Sequence, residues 1–197
     1  DNAGTPNIGA FPAVGAAGFT ANPAAAATPP TTPNTYTSST TLSGTYTVGA
    51  GGAYATLTAA VAALNTSCIS GTVTLSLTDA TYAAETFPIT INTFTGSGSL
   101  IIKPTGTTTI SGSSATALLL INGADNVTID GSSSTTENSL CPLTTASRNL
   151  SFTNTNAVTT AGVIWVATTA AFDPATNCTV KNCIISGASP TTTIVGL

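Results

Sequence analysis

The sequence predicts an all-β protein built as a parallel β-helix, a solenoid in which one strand of each coil lies on its equivalent in the next. Three observations predict it. First, Asn126-Val127-Thr128-Ile129-Asp130-Gly131 recurs as Asn149-Leu150-Ser151-Phe152-Thr153-Asn154 and as Asn177-Cys178-Thr179-Val180-Lys181-Asn182. Each copy opens on Asn, apolar, Ser or Thr, apolar, and Thr107-Thr108-Thr109-Ile110-Ser111-Gly112 is a weaker upstream copy without the Asn. The starts are 19, 23 and 28 residues apart, the spacing of a stacked repeat. Second, the alternation inside each copy is that of a strand with one face inward. It directs Val127 with Ile129, Leu150 with Phe152, and Cys178 with Val180 into a core. Third, the chain holds 43 Thr and only ten charged residues, and β-branched side chains pack well on a pleated surface. Disorder requires low hydrophobicity, whereas 42% of this chain is hydrophobic.

Residues 1–43 read as an extended Pro/Ala/Thr-rich arm or linker, because Pro removes backbone donors and favours extended chain. Its apolar residues Ile8, Phe11, Val14 and Phe19 are candidates to dock elsewhere, on a neighbouring subunit in the sharper reading. Residues 44–197 read as the β-helix domain. Gly44 to Val48 is a short strand, ended by Gly49-Ala50-Gly51-Gly52. Tyr54, Leu57, Val61 and Leu64 then share one face of a helix over about 54–64, placed to cover the open end of the first coil. An alternating strand follows at Thr72 to Leu77, and further strands at Phe87 to Ile91, Leu100 to Ile102, Leu118 to Ile121, Gly162 to Val166 and Thr193 to Val195. Each coil therefore carries two strands or more, separated by Gly, Asn or Asp turns. Ser132 to Ser147 interrupts the rhythm and reads as a loop.

The order Val48-Gly49-Ala50-Gly51-Gly52-Ala53-Tyr54-Ala55-Thr56-Leu57-Thr58-Ala59-Ala60-Val61, a strand, then Ala80-Thr81-Tyr82-Ala83-Ala84-Glu85 resembles the start of pectin-lyase-like right-handed parallel β-helix proteins, which include pectin methylesterases and many bacterial surface proteins. The resemblance covers about residues 44–197. It implies a right-handed coil and points to the non-catalytic, bacterial surface-protein type. Asn7-Ile8-Gly9-Ala10-Phe11 resembles the closing segment of such surface modules, which implies a place in a larger array.

Chemistry is scarce. Carbohydrate-cleaving β-helices use paired carboxylates, and the chain has seven Asp and Glu. Asp125 and Asp130 are the closest pair, and both read as turn or solvated face residues. The other copies carry Ser111, Thr153 and Lys181 where Asp130 stands, so no carboxylate cluster is expected and no catalytic residue is carried over from the family. The absence of His removes Ser-His-Asp and zinc chemistry. No cofactor and no metal are expected, and a net charge of -4 gives no footprint for nucleic acid. No apolar run reaches a membrane span. No signal peptide opens at Asp1, so the chain reads as mature or excised. Asn126, Asn149 and Asn177 are candidates for a side-chain ladder running from coil to coil. Asn65, in Asn65-Thr66-Ser67, is the candidate glycan acceptor. Cys68, Cys141, Cys178 and Cys183 are candidate disulfide cysteines, with three connectivities open; Cys178 also fits as a small core residue. Trp165 is either a core residue or an outward one suited to a sugar or a subunit contact.

The expectation is an extracellular, cell-surface structural subunit that associates head-to-tail into a filament or stalk, the arm adding a strand to its neighbour. The alternative is a carbohydrate-binding or adhesive surface module of the same fold.

Overall fold

The computed structural model describes residues 40–133, 147–169 and 172–188. Among them are twelve strands and a single helix: β1 (Thr41–Val48), α1 (Leu57–Asn65), β2 (Cys68–Leu77), β3 (Thr81–Tyr82), β4 (Ile89–Asn92), β5 (Ser99–Pro104), β6 (Thr108–Gly112), β7 (Leu119–Asn122), β8 (Val127–Asp130), β9 (Leu150–Asn154), β10 (Ile164–Ala167), β11 (Thr179–Lys181) and β12 (Cys183–Ser186). The strands form three sheets, ordered β1-β2-β5-β8-β11, β3-β6-β9-β12 and β4-β7-β10. Every ladder between them is parallel. From β2 onward the chain visits the first, second and third sheets in turn, then returns to lie beside the strand it left one circuit earlier. The arm residues Ile8, Phe11, Val14 and Phe19, and Cys141, lie outside the described residues.

Each circuit holds three strands, and this corrects the reading of the repeat. The copies at Asn126 and Asn177 become β8 and β11 of the first sheet, Thr128 facing Thr179. The copy at Asn149 becomes β9 of the second sheet, where Ile110 of the weak copy faces Phe152. Four similar hexapeptides thus belong to two sheets. Local alternation specifies which face is buried and is the same in every strand, so it does not say which sheet a strand joins. The true offsets follow stacked partners: 27 residues from Thr72 to Ser99, 30 from Asn92 to Asn122, and 51 from Asn126 to Asn177.

The core is built from columns of inward residues. Leu75, Ile102, Ile129 and Val180 stack in one, and Tyr82, Ile110, Phe152 and Ile185 in another. Burying a side chain of this size contributes about 1.5–3 kcal/mol, which explains why most inward positions are Val, Ile, Leu or Phe. Val127, Ile129, Leu150 and Phe152 are fully buried, as the alternation predicts. Cys178 and Val180 pack against the core but are half-buried.

Two local features set the boundaries. Thr56 is extended, and its hydroxyl accepts the Ala59 N–H at 3.0 Å, so α1 starts at Leu57 rather than Tyr54. Tyr54 instead bridges to Val48, and its ring meets that of Tyr46 at 5.9 Å. α1 packs on β1, β2 and β4 and buries Leu57, Ala60, Val61 and Leu64. The strand predicted at Gly44 begins at Thr41. At the corners, Asn126, Asn177 and Asn182 have φ of 57, 54 and 56°. Asn tolerates this left-handed backbone better than most residues, and a tight corner before β8, β11 and β12 requires it. At Gly131 the next circuit comes so close that a Cβ would strike the Asn182 carbonyl.

Candidate functional site

Acid–base chemistry needs carboxylates that are free to face a substrate. Five of the chain's seven are among the described residues, and each is tied to a separate segment of the chain. Asp79 accepts the Ala50 N–H at 2.8 Å. Glu85 receives the Leu57 and Thr58 N–H groups at 2.7 and 2.6 Å, together with the Thr58 hydroxyl. That puts a negative charge on the first amides of α1, where the helix dipole favours it. Asp173 accepts the Thr93 hydroxyl at 2.8 Å.

Asp125 and Asp130, closest in sequence, bind the next circuit separately. Asp125 accepts both the N–H and the hydroxyl of Thr176, at 2.7 and 2.5 Å. The hydroxyl and then the amide hold its carboxyl below the ordinary range. Asp130 accepts the Asn182 amide at 2.9 Å and the Ser132 N–H at 3.0 Å, and its carboxylate lies 3.6 Å from the Lys181 ammonium. Burial pushes its carboxyl up, but the Asn182 and Ser132 hydrogen bonds and the Lys181 charge together take it below the usual value. Lys181 is the register partner of Asp130, so the column holds opposite charges and no carboxylate pair. Among the described residues no group of three or more His, Cys, Asp or Glu could hold a metal ion.

The Asn ladder is present in part. Asn177 donates to the Asn126 side chain at 3.3 Å. Asn149 stands just before β9 of the second sheet and donates to Ser133 at 2.7 Å, so it does not join them. A second ladder lies in the third sheet. Asn122 donates to Asn92 at 3.2 Å, and the Asn92 N–H donates to the Asn65 side-chain oxygen Oδ1 at 3.0 Å. Asn65 also donates its amide to the Thr90 carbonyl at 2.8 Å. The nitrogen a glycan would occupy therefore ties the end of α1 to β4. This ladder has a sequence signal in the matching Ile91-Asn92 and Ile121-Asn122 dipeptides, 30 residues apart.

Asn154 has no such signal. It is 0% exposed. Its oxygen accepts the Ser114 and Asn156 N–H groups, each at 3.1 Å. Its nitrogen donates to the Ser114 and Gly162 carbonyls at 2.9 and 2.6 Å. All four valences of the amide are used, and it ties the end of β9 to the segment after β6 and the segment before β10. Tyr82 is another buried polar anchor. Its hydroxyl donates to the Val48 carbonyl and accepts the Thr78 N–H at 3.1 Å, and burial raises its pKa.

Cys68, Cys178 and Cys183 are not bonded to one another, and the fourth candidate, Cys141, lies outside the described residues. Cys178 and Cys183 flank β11 as inward residues on two different sheets, each thiol near a carbonyl: Ala124 at 3.3 Å and Lys181 at 3.2 Å. Burial raises both pKa values, that of Cys183 to about 11. Trp165 is in register with Leu120, between the inward Ile164 and Val166, so it faces outward. It is half-buried, its indole lying against Gly162.

No family model matches this chain, and neither a curated protein nor a solved structure gives a significant match. Among the described residues no helix is long and apolar enough to cross a membrane.

Proposed function

We propose that the chain is a non-catalytic structural subunit of an extracellular, cell-surface filament or stalk. Its three sheets are the faces of a right-handed parallel β-helix, and copies associate head-to-tail. The observation that carries the structural reading is the use made of the carboxylates. Each of the five described ones accepts hydrogen bonds that join separate segments of the fold. Catalysis by carbohydrate-active β-helices needs such groups paired and facing a substrate.

Association is supported by the last described circuit. Val166 is in register with the fully buried Ile121 but is 43% exposed. Val180, Cys183 and Ile185 stack on Ile129, Leu150 and Phe152 yet are only half-buried. Core residues left half in water favour a further layer. Electron microscopy and sedimentation of the native chain test the reading. Long uniform fibres, with mass rising with concentration, are expected. A monodisperse monomer across the concentration range would refute it.

A second reading, a neutral-glycan-binding module, is favoured by one surface. The outward positions of the third sheet are Thr90, Asn92, Leu120, Asn122, Trp165 and Ala167, with no charge. Retention on an insoluble neutral polysaccharide, lost with Trp165→Ala, would support it. No retention on any glycan tested would exclude it.

A further inference from the structure

We propose that Phe172 and the Asn92–Asn122 pair form a site for a neutral polysaccharide, one that turns acidic polymers away. This rests on the glycan-binding reading above, and adds the anchoring ring and the selectivity.

Phe172 is 90% exposed, and its φ is 63°. Left-handed backbone is costly for a bulky residue and easy for Gly, so the turn itself gives no reason for an aromatic ring. Yet the turn is held firmly. The Phe172 N–H donates to the Thr169 carbonyl and the Thr169 N–H to the Asp173 carbonyl, each at 3.0 Å. The Thr93 hydroxyl donates to the Asp173 carboxylate at 2.8 Å. A Cβ on Gly123 would strike Thr93, Thr169 and Asp173. Thr93 follows Asn92 and Gly123 follows Asn122, so the turn carrying Phe172 is pinned beside the two amides, at the end of the third sheet. A costly backbone conformation, kept in place by its surroundings and carrying an uncovered ring, points to binding.

The amides suit sugar hydroxyls. Asn92 is exposed and Asn122 half-exposed, on neighbouring strands about 4.8 Å apart. Asn122 donates to Asn92 at 3.2 Å. That bond leaves the Asn92 nitrogen to donate and the Asn122 oxygen to accept, a combination that two adjacent hydroxyls can answer. Phe172 gives the apolar side of a sugar a ring to stack on, and Trp165 faces outward on the same sheet. Charge sets the selectivity. Among the described residues, the turns entering and leaving the third sheet carry Glu85, Asp125 and Asp173 and no base. Lys103 and Lys181 stand in the first sheet, and Arg148 just before β9. A uronic-acid chain would therefore meet like charge, and a neutral one would not.

The test is affinity electrophoresis of the full chain in gels holding glucan, mannan, galactan, xylan or polygalacturonate. Retardation by at least one neutral polymer, and none by polygalacturonate, is expected. Phe172→Gly is expected to weaken that binding about tenfold or more. Its urea midpoint should be equal or higher, because Gly fits the left-handed backbone, and Phe172→Tyr should bind as the unsubstituted chain does. Binding unchanged in Phe172→Gly would overturn the proposal and leave the glycan reading standing, as would equal retardation by polygalacturonate. A Phe172→Gly chain that loses stability together with binding would make the ring structural and overturn its role in the site. No retardation by any polymer would overturn both the site and the glycan reading.

Discussion

Replacing Asn154 by Ala gives the sharpest test of how the corner after β9 is held. The side chain has four hydrogen bonds and no exposure. Three of its partners are backbone groups of the buried residues Ser114 and Gly162. The fourth, the Asn156 N–H, belongs to a half-buried residue that water can reach. A buried backbone group left without a partner costs about 1–3 kcal/mol, so three give an upper range of about 9 kcal/mol. The space left by the amide can admit a water bridging two of them, which brings the expected loss to about 3–5 kcal/mol. Asn154→Asp keeps the shape but turns two donors into oxygens facing the Ser114 and Gly162 carbonyls, and is expected to cost as much. Urea unfolding read by Trp165 fluorescence is suited to the measurement. Trp165 is the only tryptophan, and it lies on Gly162, one of the residues Asn154 holds. Asn92→Ala, at an exposed ladder position, is the control and is expected to cost under about 1 kcal/mol. A loss below about 1 kcal/mol for Asn154→Ala, or one equal to the control, would refute the accounting.

Three further outcomes are expected. Glu85→Gln places an amide against the helix amides of Leu57 and Thr58 and is expected to lose about 1–2 kcal/mol, with faster exchange in the first turn of α1; an unchanged urea midpoint would count against the cap. The Asp125 and Asp130 carboxyls lie below their ordinary 3.8. The stability they supply is thus complete above that value and lost as pH falls beneath it; the urea midpoint should hold from pH 7 to 5 and drop by pH 3, less so in an Asp125→Asn, Asp130→Asn chain. The Cys183 thiol is raised from 9.0 to about 11, so its contribution is full below pH 9 and fades towards pH 11. At pH 8 it should hold about a hundredfold less thiolate than an unfolded thiol, read as slow labelling that becomes fast in urea.

The sequence by itself determined the elements and their buried faces. Alternation in Asn126 to Gly131 and in its copies put Val127, Ile129, Leu150 and Phe152 inside, because a one-residue slip would turn every apolar group to water. The helical spacing of Leu57, Val61 and Leu64 identified α1, and the scarcity of charge left little material for a catalytic site. Only the tertiary structure decided which strand lies on which. The hydrogen bonds between parallel strands are the same whatever the side chains, so the copies at Asn126 and Asn149 look alike in sequence yet belong to different sheets, and Asn149 leaves the ladder for Ser133. The same cause hid the polar anchors. Glu85 meets Leu57 from 28 residues away, and Asn154 meets Ser114 from 40. Nothing local marks either residue, because the groups each satisfies become neighbours only when the circuits close on one another.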